Sequence, residues 1–448
     1  MSNKRRRRRG PRLPEQAFEA RIESLSDEGR GIAHVDGRPV FIDQALPGER
    51  VLFRYSRLTS KIAEGRAVEI LEPAADRVKP VCQVYEACGG CSLQHMRSSA
   101  QLEMKQRSLL KQLANIGKVR PDVVLEPLTG PELAYRNKAR LGVRYVEKKA
   151  RTLVGFRERA SAYITDTSRC EILHPRVGPL IGELAGCISQ LQLRRQIPQI
   201  EVAVGDEQAV LVFRHLEELP QSDRDLLAAF AQQHRLTIML QPGKPDALLP
   251  LWPAQPEPLF YRIDGFDVRI EFQPSDFTQI NPVINRRMIN AAVDFLELGE
   301  TDRVLDLFSG LGNFTLPIAR RCEHVIGVEG SLPMVIKARH NANINRIDNA
   351  EFHYADLYSN DVADTLWVKK RYKKILLDPP RSGAAGVLAY IGGMKAEKIV
   401  YISCHPATLA RDAGVLVNEM GYRFVRAGVM DMFPHTAHVE SIAVFEKR

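Results

Sequence analysis

Five short apolar runs in the last third of the chain constrain its fold more than any other feature. They are Val304–Phe308, His324–Val328, Ala350–Tyr354, Lys374–Leu377 and Ile399–Ile402. Runs of this length read as buried strands, and most of the gaps between them carry helical patterns. Strands alternating with helices specify an open, mostly parallel sheet with helices on both faces, an α/β architecture of the Rossmann-like kind. Such sheets bind ligands beyond the carboxyl ends of their strands. The residues that end each run are therefore the first candidates for chemistry.

The first run leads into Asp306-Leu-Phe-Ser-Gly-Leu-Gly-Asn-Phe-Thr315. Gly310 and Gly312 make a tight strand-to-helix turn where backbone can approach a ligand. A dinucleotide fingerprint needs a third Gly where Thr315 stands, so pyrophosphate is not favoured. A nucleoside cofactor without phosphates, S-adenosylmethionine, suits the turn better. Glu329 ends the second run, 23 residues after Asp306, placed to accept from ribose hydroxyls. Asp356 follows the third run, where it can meet an adenine amine.

The fourth run ends at Asp378-Pro-Pro-Arg-Ser-Gly383. Two prolines fix an extended, rigid loop against which a planar base can pack, with Asp378 and Arg381 offering hydrogen bonds. The fifth run ends at Ser403-Cys404-His405-Pro406, just before a helical pattern. A Cys at that place can be activated as a thiolate. Near the end of the chain, Met430–Glu440 precedes a closing strand, Ser441–Phe445, and offers Glu440 as a base.

At 448 residues the chain needs two or three domains. Residues 1–13 form a basic tail with Arg5 to Arg9 in succession, expected to be disordered when free. Five short β-type runs between Ala17 and Leu71 then suggest a small barrel of the OB type over 14–73. Its segment Glu49–Arg66 interleaves Arg50, Arg54, Arg57, Lys61 and Arg66 with Phe53 and Tyr55, a pattern that fits an RNA surface. Cys82, Cys88 and Cys91 follow with C-x5-C-x2-C spacing around Gly89-Gly90, and Cys170 is the best fourth ligand. Four thiolates can hold a [4Fe–4S] cluster or a zinc ion. Cys187, in an apolar helical pattern, reads as core. Ser98–Ile116 is a helical pattern. Tyr135 to about Ile263 is a mixed, strand-rich region with a second basic block (Arg136, Lys138, Arg140, Arg144, Lys148, Lys149 and Arg151). The proline-rich Gln241–Pro258 looks like a connector.

The formal charge of +9 favours a polyanionic partner, and the arginine run sharpens that to nucleic acid. No stretch of about 18 apolar residues is present, so a membrane partner is not expected. The basic start lacks an apolar segment behind it and is no secretory signal. Seven cysteines are too few for a disulfide scaffold, so a cytoplasmic chain is expected. No protein partner is legible.

The motifs Asp-Pro-Pro-Arg-x-Gly at 378–383, Tyr401-x-Ser403-Cys404 and Phe-Pro-His-Thr-x-His-x-Glu at 433–440 together resemble those of the RNA uracil-carbon-5 methyltransferases that use S-adenosylmethionine. The likeness extends from about Pro14 to Arg448 and is strongest to members acting on bacterial 23S rRNA. It implies an N-terminal TRAM barrel over 14–73. It also implies a central α+β domain with a cysteine-bound [4Fe–4S] cluster over 74–95 and 126–265. The methyltransferase domain would comprise 96–125 and 266–448. It implies Cys404 as nucleophile and Glu440 as base. Gln279, Phe308, Asn313, Glu329 and Asp356 would contact the cofactor, with Asp378 where cofactor meets base. Cys82, Cys88, Cys91 and Cys170 would hold the cluster. One departure stands out: His405 occupies the position where the family usually has Asn. The same chemistry on transfer RNA is the nearest alternative. An amino-group methyltransferase would leave Cys404 and Glu440 without a task. A non-enzymatic Fe–S RNA-binding protein would not explain Asp306–Thr315.

Overall fold

The computed structural model describes residues 13–243, 248–359, 362–363 and 365–448. The arginine run of the basic tail lies outside them. Contacts divide the chain into two compact units. One comprises Met1–Tyr85, Cys91–Met104 and His435–His438; the other comprises Glu86–Gly90, Lys105–Pro434 and Val439–Arg448.

In the first unit, six strands pair in the order Phe18–Arg21, Arg50–Leu58, Ala63–Glu72, Arg38–Asp43, Gly31–Val35, Ser24–Leu25. The first strand runs on through Ile22 into Ser24–Leu25, which pairs with Gly31–Val35. One chain segment therefore joins both edges of the sheet and closes it, removing the exposed edges an open sheet would present. Ala20, Ile22, Val40, Ile42, Val51 and Phe53 fill the interior. Phe53 corrects a sequence expectation. Side chains alternate along a strand, and the inward parity falls on Phe53, which is wholly buried. Tyr55 packs edge-on against it at 5.0 Å between ring centroids, and Phe18 packs edge-on against Tyr55 at 5.2 Å. The aromatics of this strand serve the core, while Arg50 pairs with Glu19 and Glu72 outside.

The second unit carries two large sheets. One has six strands in the order Leu249–Trp252, Thr237–Pro242, Ala209–His215, Gln199–Val204, Lys138–Val146, Arg151–Gly155. Helices Ile181–Gln190 and Gln221–His234 share its core. The expected connector Gln241–Pro258 contains the edge strand Leu249–Trp252, paired antiparallel to Thr237–Pro242. Prolines are tolerated on an edge because one side of the strand needs no ladder hydrogen bonds.

The other sheet has eight strands. Its order is Ala350–Tyr354, His324–Glu329, Arg303–Leu307, Lys374–Leu377, Lys398–Ser403, Glu440–Lys447, Tyr422–Met430, Val123–Val124. The first five are parallel, as the apolar runs predicted. Glu440–Lys447 then enters antiparallel between Lys398–Ser403 and Tyr422–Met430. One face packs against helices Pro282–Leu296, Thr315–Ala319 and Leu332–Ile344. The opposite face packs against helices Ala385–Met394 and Pro406–Asn418, together with Leu109 and Leu113. The helix expected over Ser98–Ile116 is α-helical over Ser98–Gln112 and ends in a π turn, Leu113–Gly117. There Gly117 meets the helix that follows Cys404: a Cβ on Gly117 would lie 2.2 Å from the Ala410 carbonyl oxygen. Only glycine allows the two backbones so close.

Candidate active site

The period of two along a strand sorts the candidate residues. Val304, Val325, Phe352, Leu376, Val400, Ile402, Ile442 and Val444 all face the same core. Asp306, Glu329, Asp356, Asp378, Cys404 and Glu440 lie an even number of residues from these reference positions, so all six take that same face. All lie at or just past one edge of the sheet, contributed by six neighbouring strands. The structure thus gathers on one rim residues scattered over 135 positions of sequence.

At the end formed by Arg303–Leu307 and His324–Glu329, the site is tied to backbone. The Gly310 amide donates to Glu329 Oε2 at 3.0 Å. Phe308 adopts a left-handed conformation at φ 68°, and its amide and that of Ser309 both donate to the Val328 carbonyl. Asp306 is wholly buried, accepts from Thr315 Oγ1 at 2.5 Å, and leaves Oδ1 without a hydrogen-bond partner. Loss of hydration pushes its carboxyl up to about 8, which the Thr315 hydroxyl partly offsets. Thr315, read from sequence only as the missing third glycine, is thus a support for Asp306. Asn313 exchanges hydrogen bonds with Asn285 in both directions at 3.0 and 3.1 Å, and accepts from the Tyr261 hydroxyl at 2.8 Å. Asp356 is exposed and accepts the Tyr358 amide at 3.0 Å. Gln279 is half-buried two residues before Asn281, whose side chain caps helix Pro282–Leu296. Asn before Pro is a favoured start of a helix. Asn285 and Tyr261 escaped the sequence reading.

At the other end the antiparallel ladder pairs Ser403 with Ser441. Continuing that register by one residue sets Cys404 opposite Glu440. Glu440 is buried, and loss of hydration, helped by Asp378, raises its carboxyl to about 8. Asp378 is likewise raised by dehydration, to about 7. Cys404 is half-buried with its thiol pushed up to about 11, first by dehydration and then by the charges of Glu440 and Asp378; Arg381 opposes them. Those electrostatic links bring the four predicted reactive and base-binding residues together. His405 is half-buried and precedes the helix Pro406–Asn418; its amide donates to Ser403 Oγ and its carbonyl accepts from Thr408 Oγ1. These backbone bonds set the turn that presents Cys404.

Two supports escaped the sequence reading. Asp412, wholly buried, accepts from the Tyr401 hydroxyl and the Ala384 amide at 2.7 Å each and from Arg411 Nε at 2.8 Å. It joins the Pro-Pro loop to the helix following Cys404. Gly383 sits at φ 79°, where a Cβ would lie 2.7 Å from Asp412 Oδ2, which explains the glycine that closes that motif. Lys105 is buried and donates to Asp431 Oδ1 at 2.7 Å and to the Phe433 carbonyl at 3.0 Å, fixing the segment after strand Tyr422–Met430.

Cys82, Cys88 and Cys170 are half-buried and Cys91 is buried; none is in a disulfide. The Gly90 amide donates to Cys88 Sγ at 3.4 Å. Among the described residues, no group of three or more His, Cys, Asp or Glu could hold a metal ion as placed. Also among them, no helix is long and apolar enough to cross a membrane.

The pattern of the tRNA (uracil-5-)-methyltransferase family matches residues 97–448, and that of the TRAM domain matches 11–68. The 23S rRNA (uracil(1939)-C(5))-methyltransferase RlmD of Methylococcus capsulatus is 51% identical over 435 residues, covering 97% of this chain and 98% of that protein. The RlmD of Alcanivorax borkumensis is 49% identical over 441 residues, covering 98% and 99%. Among solved structures, the tRNA (uracil-54, C5)-methyltransferase of Pyrococcus abyssi, in complex with S-adenosyl-L-homocysteine, is similar with a TM-score of 0.72 at 24% identity. The match covers 96% of this chain and all of that one, and supports the fold. The family pattern spans every strand of the eight-stranded sheet that carries the rim of acids and Cys404, and relatives are alike along nearly the whole chain. The chain therefore belongs to the tRNA (uracil-5-)-methyltransferase family of enzymes.

Proposed function

We propose that the enzyme methylates carbon 5 of a uracil in 23S rRNA, with S-adenosylmethionine as methyl donor, Cys404 as nucleophile and Glu440 as base. The observation that carries this reading is the Ser403–Ser441 pair that ends the ladder and leaves Cys404 and Glu440 as the next residues on the two strands, with Glu440, Asp378 and Arg381 all acting on the thiol. The choice of 23S rRNA, and of uracil 1939 within it, comes from the names of the relatives.

Carbon 5 of uracil is a weak nucleophile. Addition of the Cys404 sulfur to carbon 6 turns the ring into an enolate whose carbon 5 can attack a methyl group. The cofactor supplies that methyl on a sulfonium centre. Glu329, Asp356 and the backbone of Phe308–Gly310 would hold its nucleoside part. Gln279 and Asp378 would line the side nearer the base, and Asn313 would act through its pairing with Asn285 and Tyr261. After transfer, carbon 5 keeps one hydrogen. Glu440 takes it as a proton, the bond from carbon 6 to Cys404 Sγ breaks, and the thiolate is released. Burial, Glu440 and Asp378 push the Cys404 thiol up and Arg381 opposes them, so in this scheme the thiol gives its proton to water as the base binds, and Arg381 is the cation that favours the resulting thiolate. The target base must leave its stack to reach the rim. The barrel and the strand Lys138–Val146, with Arg140 and Arg144 exposed, would hold flanking RNA.

We further propose that Cys82, Cys88, Cys91 and Cys170 hold a [4Fe–4S] cluster, zinc being the alternative. Support comes from the spacing, from four thiols outside any disulfide, and from the N–H donated to Cys88 Sγ, a bond suited to a cluster-bound thiolate. Methyl transfer needs no electrons, so the group would shape the RNA-binding surface. Iron content and the absorption spectrum of anaerobically purified protein test it; protein binding zinc alone would exclude the cluster.

The functional reading is tested with RNA containing 5-fluorouracil, whose carbon 5 has no removable proton. In the presence of S-adenosylmethionine a denaturation-resistant complex is expected, and Cys404→Ala should prevent it. No complex with the wild-type enzyme would sink the assignment.

A further inference from the structure

Tyr358 lies outside every motif read from the sequence, yet it touches both halves of the rim. Its amide donates to Asp356 Oδ1 at 3.0 Å, and its ring centroid is 6.0 Å from that of Phe308. Those are the cofactor-side residues. Its hydroxyl donates to the Gly383 carbonyl at 2.8 Å and stands 2.8 Å from Ser382 Oγ, from which it can accept. Those two residues belong to the Pro-Pro loop. The loop passes the connection on: Arg411 Nη2 donates to the Ser382 carbonyl at 2.9 Å, and the Ala384 amide donates to Asp412 at 2.7 Å. Arg411 and Asp412 sit on helix Pro406–Asn418, which starts two residues after Cys404. A continuous set of hydrogen bonds therefore runs from the proposed adenine acceptor to the nucleophile's helix, and Tyr358 is its first side chain.

We infer that Tyr358 is a positioning residue that couples the two substrate sites. With Asp356 and Phe308 engaged by cofactor, the phenol holds the Pro-Pro loop in the shape that receives a uracil. Cofactor binding then strengthens RNA binding, and RNA strengthens cofactor binding by the same factor. This inference rests on the functional reading above. The test measures the coupling itself.

Affinity for a 23S rRNA fragment containing the target uracil is measured with and without saturating S-adenosylhomocysteine. Wild type, Tyr358→Phe, Ser382→Ala and the double variant are compared. The wild type should bind RNA more tightly with S-adenosylhomocysteine. Tyr358→Phe keeps the ring but loses two hydrogen bonds, and should cut that coupling factor by roughly threefold to tenfold. Under turnover its KM for RNA should rise more than its kcat falls, a split that a general loss of folded protein would not give. Ser382→Ala should have a smaller effect, and the double variant should be no worse than Tyr358→Phe, because the serine acts through the phenol. An unchanged coupling factor in Tyr358→Phe would overturn the inference, as would a wild type with no coupling. A wild type that bound neither ligand would overturn the functional reading, and the inference with it.

Discussion

The two ends of the same sheet edge are built on opposite terms. At the proposed cofactor end, several polar groups are satisfied in advance. Glu329 holds the Gly310 amide, Asn313 is closed into a set with Asn285 and Tyr261, and Asp356 holds the Tyr358 amide. At the proposed reactive end, dehydration pushes Asp378, Glu440 and Cys404 towards their neutral forms, and Asp378 adds to this at Glu440 and Cys404. The contrast separates binding from chemistry. A binding surface gains from groups already fixed in place. Reactive groups near their neutral forms can exchange protons at ordinary pH. Asp306 belongs by position to the first end but by protonation to the second.

The contrast can be broken most severely at Cys404. Cys404→Ala should abolish methyl incorporation from labelled S-adenosylmethionine into RNA, while S-adenosylhomocysteine binding at the other end is retained. Loss of both would show that the ends are not separable. Glu440→Gln comes next. Methyl transfer should proceed once per enzyme and then stop, leaving a covalent RNA complex visible on a denaturing gel. A fully active, uncrosslinked variant would remove Glu440 from the mechanism. Glu440 must be charged to accept a proton, so breakdown of the natural adduct should accelerate as pH rises through about 8. A rate flat from pH 6 to 9 (roughly the range open to such a carboxyl) would contradict this.

Lys105→Met tests the support beneath the reactive end. It would leave Asp431 buried without its cation, a loss of about 3–5 kcal/mol for a broken buried pair, read as a lowered denaturation midpoint. The double variant Lys105→Met, Asp431→Leu should recover part of that loss. A last test lies at Asp306. Its folded pKa of about 8 lies above the value of an unfolded aspartate. The folded state therefore holds the proton longer, and stability falls as pH rises between the two values, levelling once both states are charged. Asp306→Asn removes that fall. Its melting temperature should exceed the wild-type value most clearly at pH 8 and above. Equal melting temperatures at pH 8 would mean that the buried carboxyl is not held neutral.

What was legible in sequence followed from local periodicity. The five apolar runs became five parallel strands, and their terminal residues share one face because the period of two holds through each strand. What was illegible depended on distance or on compensation. Nothing near Asn313 announces partners 28 and 52 residues away. The strand Tyr422–Met430 was hidden because Arg423 and Arg426 interrupt its apolar run, although only their outward positions are charged. Phe53 was misplaced because composition gives an aromatic its type and not its parity. The prolines after Gln241 suggested a connector, whereas an edge strand can accommodate them.

The position of Glu440–Lys447 carries a consequence for the time course of folding. Among the described strands it comes last in the chain, yet it lies inside the sheet, between two strands made before it. During synthesis the barrel and the parallel strands can form while this segment is still missing. Cys404 is then already at the end of its strand, with no carboxylate opposite. Cys404 and Glu440 come together only once this last strand is in place, so under the proposed mechanism competence for catalysis begins with closure of the sheet.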